Sequence, residues 1–329
     1  MPIVTILHDR PSTASALNDD GLVVGNNDRG PFVWRSTDAT WTRGSIVELK
    51  TFSEHPEGKG TATAINQQSD VVGFCEAIDS NGELVTRAAL WPAGAIEPVP
   101  LGTLQPAHDA GEFRGNSRAF GINDSGQIVG VSDSPSWTRA FIFDPMLGGM
   151  FELPRPSYDV AAAESEALAI NNSGAVIGSH RVHRGARMVR AAYRWQWQPG
   201  SPTGHPLHGM GENDVARAIN SHGVIVGDAR PGNPSGEASV AMRFGPFEST
   251  PIVESRFSTA LAINDDGVVV GAEGQDMPRA YRLMSGLFHD LSALGDGLRI
   301  VRAVDINSRG QIAAVATDGT QNLAVLITF

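Results

Sequence analysis

The segment 105–118, QPAHDAGEFRGNSR, sets His108 beside Asp109 and follows them with Glu112, Arg114 and Arg118. A histidine backed by a carboxylate can act as a base with its orienting partner. In the same stretch Glu112 could serve as an acid and Arg114 as a clamp on an anion. The competing reading is a solvated loop. Two smaller groups repeat the theme, His8-Asp9-Arg10 and Glu54-His55 with Lys59, and the run SHRVHRGARMVR from Ser179 carries His180, His183 and four arginines. Trp137, in the loop PSWTR, offers a stacking surface for a ring or a sugar. Trp34, Trp91 and Trp195 recur at one repeated place and read as core.

Other chemistries have no support. There is no His-x-x-x-His pair and a single cysteine, Cys75, so neither a zinc site nor an intramolecular disulfide is expected. The two Asn-Asp-Asp-Gly stretches lack the ligand number and terminal Glu of a calcium loop. No Gly-rich segment leads from a strand into a helix, and no Gly-x-Ser-x-Gly elbow is present. No metal and no cofactor is therefore expected. A net charge of −11 without a basic run argues against nucleic acid as a partner. No apolar stretch approaches the ~20 residues of a membrane span. The first residues lack the basic and apolar regions of a signal peptide. The expected location is the cytoplasm, or outside the cell for a chain trimmed of such a peptide. Nothing in the sequence bears on oligomeric state.

The elements that position these groups are repeats. ASALNDDGLVVG from Ala14, ATAINQQSDVVG from Ala62, AFGINDSGQIVG from Ala119 and ALAINNSGAVIG from Ala167 are followed by ARAINSHGVIVG, ALAINDDGVVVG and AVDINSRGQIAA. The seven asparagines, Asn18, Asn66, Asn123, Asn171, Asn220, Asn264 and Asn307, are 43 to 57 residues apart and fill residues 1–329 as one domain. Each unit reads as a strand, an Asn-x-x-Gly hairpin turn, a Val-Val-Gly strand, an aromatic third strand such as PFVW or AALW, and a weaker Leu-containing fourth. Four short strands per unit predict an all-β, seven-bladed β-propeller. The last unit stops after its third strand, LAVLITF, and PIVTILHD precedes the first. The N-terminal strand is therefore expected to complete the last blade and close the ring.

Within this frame some charges depart from the repeat. Asp305 stands where the other units have Ala or Gly, and Arg217 one place earlier in its own unit. Arg118, Glu166 and Arg302 precede the repeated Ala, where the other units have Thr or Val. These groups are expected at the axial channel or its mouth, on the face where the variable loops gather. Structural salt bridges between blades are the alternative.

The Ala-x-x-Ile-Asn-Asp-x-Gly-x-Val-Val-Gly pattern with its Ala-Phe-x-Trp strand resembles the HAF-repeat family, across essentially the whole chain. That resemblance implies an extracellular repeat protein and supplies no activity. The His of the family's His-Ala-Phe step is absent, with Arg87, Arg139 and Arg279 in its place in three units.

The functional expectation is binding of a small polar or anionic organic molecule at the channel mouth. Arg114, Arg118, Trp137, Glu166, Arg217 and Arg302 would bind it, and His108, Asp109, Glu112 and Asp305 would move protons. If the protein is an enzyme, metal-free acid–base chemistry fits: a lyase, a cyclisation or a hydrolysis. The alternatives are a protein-docking scaffold and a lectin-like binder.

Overall fold

The computed structural model describes residues 2–52, 55, 57–79, 81–104, 115–135, 137–155, 164–184, 187–209, 211–231 and 238–329. Among them the strands form seven four-stranded antiparallel sheets, one per repeat. The expected seven-bladed propeller is the fold observed. Blades are numbered here in chain order, and blade 7 takes its outermost strand from Ile3–Ile6, which pairs with Asn322–Thr328.

The core lies between blades, because each short sheet has two faces and both must be covered. Leu22, Val24, Leu49 and Phe52 of blade 1 pack with Ala62, Ile65, Val71, Cys75 and Trp91 of blade 2. Across the closure, Leu17, Phe32 and Trp34 pack with Ala313, Ala324 and Leu326 of blade 7. The repeated tryptophans are buried, as their place predicts. Two of them donate Nε1–H to the preceding blade's backbone, Trp91 to Lys50 at 3.0 Å and Trp195 to Pro154 at 2.8 Å. A buried indole N–H needs such an acceptor.

The seven innermost strands touch their neighbours around the axis. Each carries a register irregularity between the first and third residues of the repeat, Ala14/Ala16 in blade 1 and its equivalents in the other six. A β-bulge here adds one residue and re-aims its side chain. In blade 5 that residue is Arg217. The glycine of the second strand faces the bulge at very short range. A Cβ at Gly130 or Gly178 would lie 2.0 Å from the carbonyl oxygen of Arg118 or Glu166. Blade 7 has Ala314 in this place, and its innermost strand shows a second irregularity, between Ile300 and Arg302.

The repeated asparagine does more than turn the chain. Its Oδ1 accepts the backbone N–H four residues on, at 2.8–3.1 Å in every blade. Its Nδ2 donates to the backbone carbonyl of the next blade's asparagine at 3.0–3.2 Å, from Asn18 to Asn66 and so on around to Asn307, which donates to Asn18. The result is a closed ring of seven side-chain-to-backbone bonds. A second tier forms one residue later. The backbone N–H of Asp19, Gln67, Asp124, Ser221 and Ser308 reaches the side chain of Gln67, Asp124, Asn172, Asp265 and Asp19 respectively. At the other two steps the receiving residue would be Ser221 or Ser308, whose side chain is too short.

Candidate channel-mouth site

The channel has two unlike ends. The Asn-x-x-Gly turns form one, and the loops that join blades, with those between second and third strands, surround the other. The residue before the repeated Ala lies toward this second end, where blades 1 to 7 present Thr13, Thr61, Arg118, Glu166, Val215, Thr259 and Arg302.

Two of the sequence-predicted charges are held or paired within short range. Glu166 accepts from the Ser179 hydroxyl at 2.9 Å and lies 3.3 Å from Arg190. The Arg217 guanidinium donates through Nε to Asp228 Oδ1, which also accepts from Thr259 Oγ1 at 2.9 Å. Both ion pairs lie within one blade, so these charges do not bridge between blades. Asp228 itself is buried, and its partners supply the compensation that a buried carboxylate needs.

Arg118 and Arg302 differ. Both are exposed, and among the described residues neither has an ion pair or a hydrogen bond. The Arg118 guanidinium rests over the ring of Phe74 in blade 2, 5.4 Å from its centroid. Such a cation–π contact orients the group without cancelling its charge. Arg302 stands on an innermost strand, where surrounding protein pushes the guanidinium's pKa down and the charge of Arg217 pushes it further the same way. The charge of Arg217 thus reaches Arg302, which has no counter-charge among the described residues.

Asp305 lies deeper on the same strand. Its Oδ2 accepts the Leu17 N–H of blade 1 at 2.9 Å and its Oδ1 the Ile306 N–H, also at 2.9 Å. It thereby ties blade 7 to the innermost strand of blade 1. Burial pushes its carboxyl up to about 7; the two N–H donors oppose that shift and the nearby Asp19 adds to it.

At the turn end, residues from all seven blades enclose an axial cavity of 230 Å³, lined by the Asn ring, the second-tier residues and a belt of Leu17 and six isoleucines. None of the sequence-predicted site residues lines it. Its acids Asp19, Asp124 and Asp265 each already accept a backbone N–H. At the loop end, Arg118 lines a cavity of 180 Å³ with Asn116, Asp133 and Thr138, and Glu166 lines one of 170 Å³ with Arg181 and Arg190; Val131 and Thr138 border both. Trp137, half-exposed, precedes Thr138.

His108, Asp109, Glu112 and Arg114 lie outside the described residues. Two histidines of the other groups are withdrawn from solvent. His180 is fully buried with its ring 5.6 Å from that of Tyr193, and His8 is buried beside Asn27 at 3.1 Å. Sequence reasoning overlooked Thr13 and Thr61, whose place in the repeat equals that of Arg118 and Arg302 and could have flagged them. It also missed Asp228 and Arg190, which no sequence spacing marks as partners.

A family model matches residues 86–325, and the family's description is "Protein of unknown function (DUF3466)". This overturns the resemblance to the HAF-repeat family, which nothing in the comparisons indicates. The residues behind that resemblance, Ala, Asn and Gly at fixed places, are those the inner bulge and the Asn ring require, so they mark an architecture. No curated protein matches. Among solved structures the chain is similar to the β-propeller domain of the Trilobed protease from Pyrococcus furiosus, at 13% identity over 96% of this chain and 93% of that one, with a TM-score of 0.54. An ulvan lyase is similar at 11% identity, 98% and 95% coverage and a TM-score of 0.54. A puromycin hydrolase is similar at 13% identity, 93% and 50% coverage, and the same TM-score. At these identities the likeness is one of fold.

Proposed function

This chain belongs to the DUF3466 family, and from the chemistry of its channel we propose that it binds a small anionic organic molecule at the loop end, where Arg302 and Arg118 present their guanidinium groups. The observation that carries this reading is Arg302: an exposed cation on the innermost strand, subject to the like charge of Arg217 and with no ion pair or hydrogen bond among the described residues. A carboxylate or phosphate placed there gains charge-assisted hydrogen bonds and relieves the repulsion. Asp305, with its carboxyl pushed up to about 7, holds or releases a proton near neutral pH, which suits a general acid or base if chemistry follows binding. Lyase, cyclisation and hydrolysis are the reaction classes in keeping with such a group.

The docking-scaffold reading draws on a different feature, an apolar cavity of 310 Å³ between blades 1 and 2 lined by Val33, Val47, Leu49, Val71 and Trp91. Among the described residues it has no feature that selects a partner, so the anion reading stands first.

The test is incubation of the purified protein, and of Arg302→Ala, with a small-metabolite extract, followed by untargeted mass spectrometry. Consumption of an anionic compound in large excess over protein, with a new mass appearing, identifies catalysis. Stoichiometric enrichment of an anion that Arg302→Ala abolishes identifies binding. Enrichment of neutral compounds alone, or of nothing, overturns the proposal.

A further inference from the structure

We infer that the ligand of this mouth is an extended dianion, of dicarboxylate type, held at one end by Arg302 and at the other by Arg118 with the Thr13 and Thr61 hydroxyls between them. The inference rests on the anion-binding reading above and names its ligand class.

Arg302, Thr13, Thr61 and Arg118 occupy one strand position, immediately before the repeated Ala, on four consecutive blades in the order 7, 1, 2, 3. Their ladder partners are Val315, Asn26, Phe74 and Val131. The ring thus places two guanidiniums at the ends of an arc and two hydroxyls inside it. Among the described residues neither Thr13 nor Thr61 has a side-chain hydrogen bond, and both are half-buried. Guanidinium is a donor only, and a hydroxyl can donate, so every group on the arc can serve an anion.

The rest of the ring is occupied with itself. Glu166 of blade 4 is engaged by Ser179 and Arg190. Val215 of blade 5 is buried and apolar. Thr259 of blade 6 donates to Asp228, which neutralises Arg217. Counting these pairs as neutral leaves, at this strand position and among the described residues, two uncompensated positive charges, on Arg118 and Arg302. Two negative charges balance them. The arginines stand three blades apart, and a chain with a carboxylate at each end can meet one guanidinium with each. Each carboxylate can then take a bidentate pair of N–H bonds. The Phe74 contact orients Arg118, and among the described residues none of its donors has a hydrogen-bond partner.

The experiment is calorimetric titration with malonate, succinate, glutarate and adipate, against acetate, propionate and inorganic phosphate. It uses the wild-type chain and the variants Arg302→Ala, Arg118→Ala, Thr13→Val and Thr61→Val, each verified as folded by circular dichroism and thermal melting. One or more of the dicarboxylates should bind at least tenfold more tightly than every monocarboxylate and than phosphate. Either arginine substitution should reduce that affinity to the monocarboxylate level, and each valine should weaken it several-fold. Monocarboxylates or phosphate binding as tightly as the best dicarboxylate, with loss in Arg302→Ala alone, would overturn the dianion inference and leave the anion reading standing. Binding of no anion by the folded wild-type chain would remove both.

Discussion

Asn307 donates its side-chain N–H to the backbone carbonyl of Asn18 at 3.1 Å, across 289 positions of sequence, and this bond closes the ring of seven. Its Oδ1 accepts the Gln311 N–H at 3.0 Å, so one buried carboxamide joins the last blade to the first and pins its own hairpin. Removing it leaves a buried carbonyl and a buried N–H without partners, at about 1–3 kcal/mol for each group. Asn307→Ala is therefore expected to destabilise the chain by about 3 kcal/mol in urea unfolding. An effect below ~1 kcal/mol would mean that water replaces the carboxamide and that the ring is not a major source of closure.

Blade 2 breaks the turn rule, since Ser69 takes the left-handed φ of 72° that glycine adopts in the other six turns. An L-residue in that conformation costs about 1–2 kcal/mol. No side-chain hydrogen bond of Ser69 is present to offset it among the described residues. Ser69→Gly should raise stability by about 1 kcal/mol, seen as a higher melting temperature. An unchanged or lower value would place a compensating interaction at that hydroxyl.

Gly178 and Ala314 form a paired test of the inner bulge. A methyl at Gly178 would meet the Glu166 carbonyl oxygen at 2.0 Å, a backbone atom that cannot swing aside. Gly178→Ala is expected to cost about 3 kcal/mol, at the upper end of overpacking effects. Ala314→Gly, in the blade whose strand already accommodates a methyl, should change stability by no more than about 1 kcal/mol. Equal effects at the two sites would contradict this account of the glycine.

Asp305 makes stability depend on pH with a definite sign. Its carboxyl is raised to about 7 in the folded chain, against about 3.9 when unfolded. Between these values the folded state binds the extra proton, so the contribution is full below pH ~4 and is lost as pH rises through ~7. Asn at this position does not titrate. The stability of Asp305→Asn relative to wild type should therefore grow from pH 4 to 7 and level off above it, by on the order of 4 kcal/mol for a three-unit shift. A pH-independent difference between the two chains would show that the carboxyl ionises as it does in water.

Much of the fold was legible because a blade is built from local signals. Asn-x-x-Gly turns, Val-Val-Gly strands and an aromatic third strand each encode backbone geometry within a few residues, and their recurrence counted the blades. The candidate site was legible only in part. Glu166, Arg217 and Arg302 all appeared as charges in small-residue positions, and nothing local distinguished them. The structure separates them, since Arg190 and Asp228 arrive from other strands of the same blades to neutralise the first two. Thr13 and Thr61 were passed over because threonine at that position looks like background until its blade is seen to stand between those of two arginines that lack an ion pair among the described residues.

The sequence by itself determined seven four-stranded blades and the pairing of Ile3–Ile6 with the last of them. It did so because turn chemistry and strand alternation are properties of neighbouring residues. Tertiary structure alone decided what each repeated Asn binds and which charges are neutralised. Those outcomes depend on which atoms of distant strands come within about 3 Å of one another, and ring closure sets those distances.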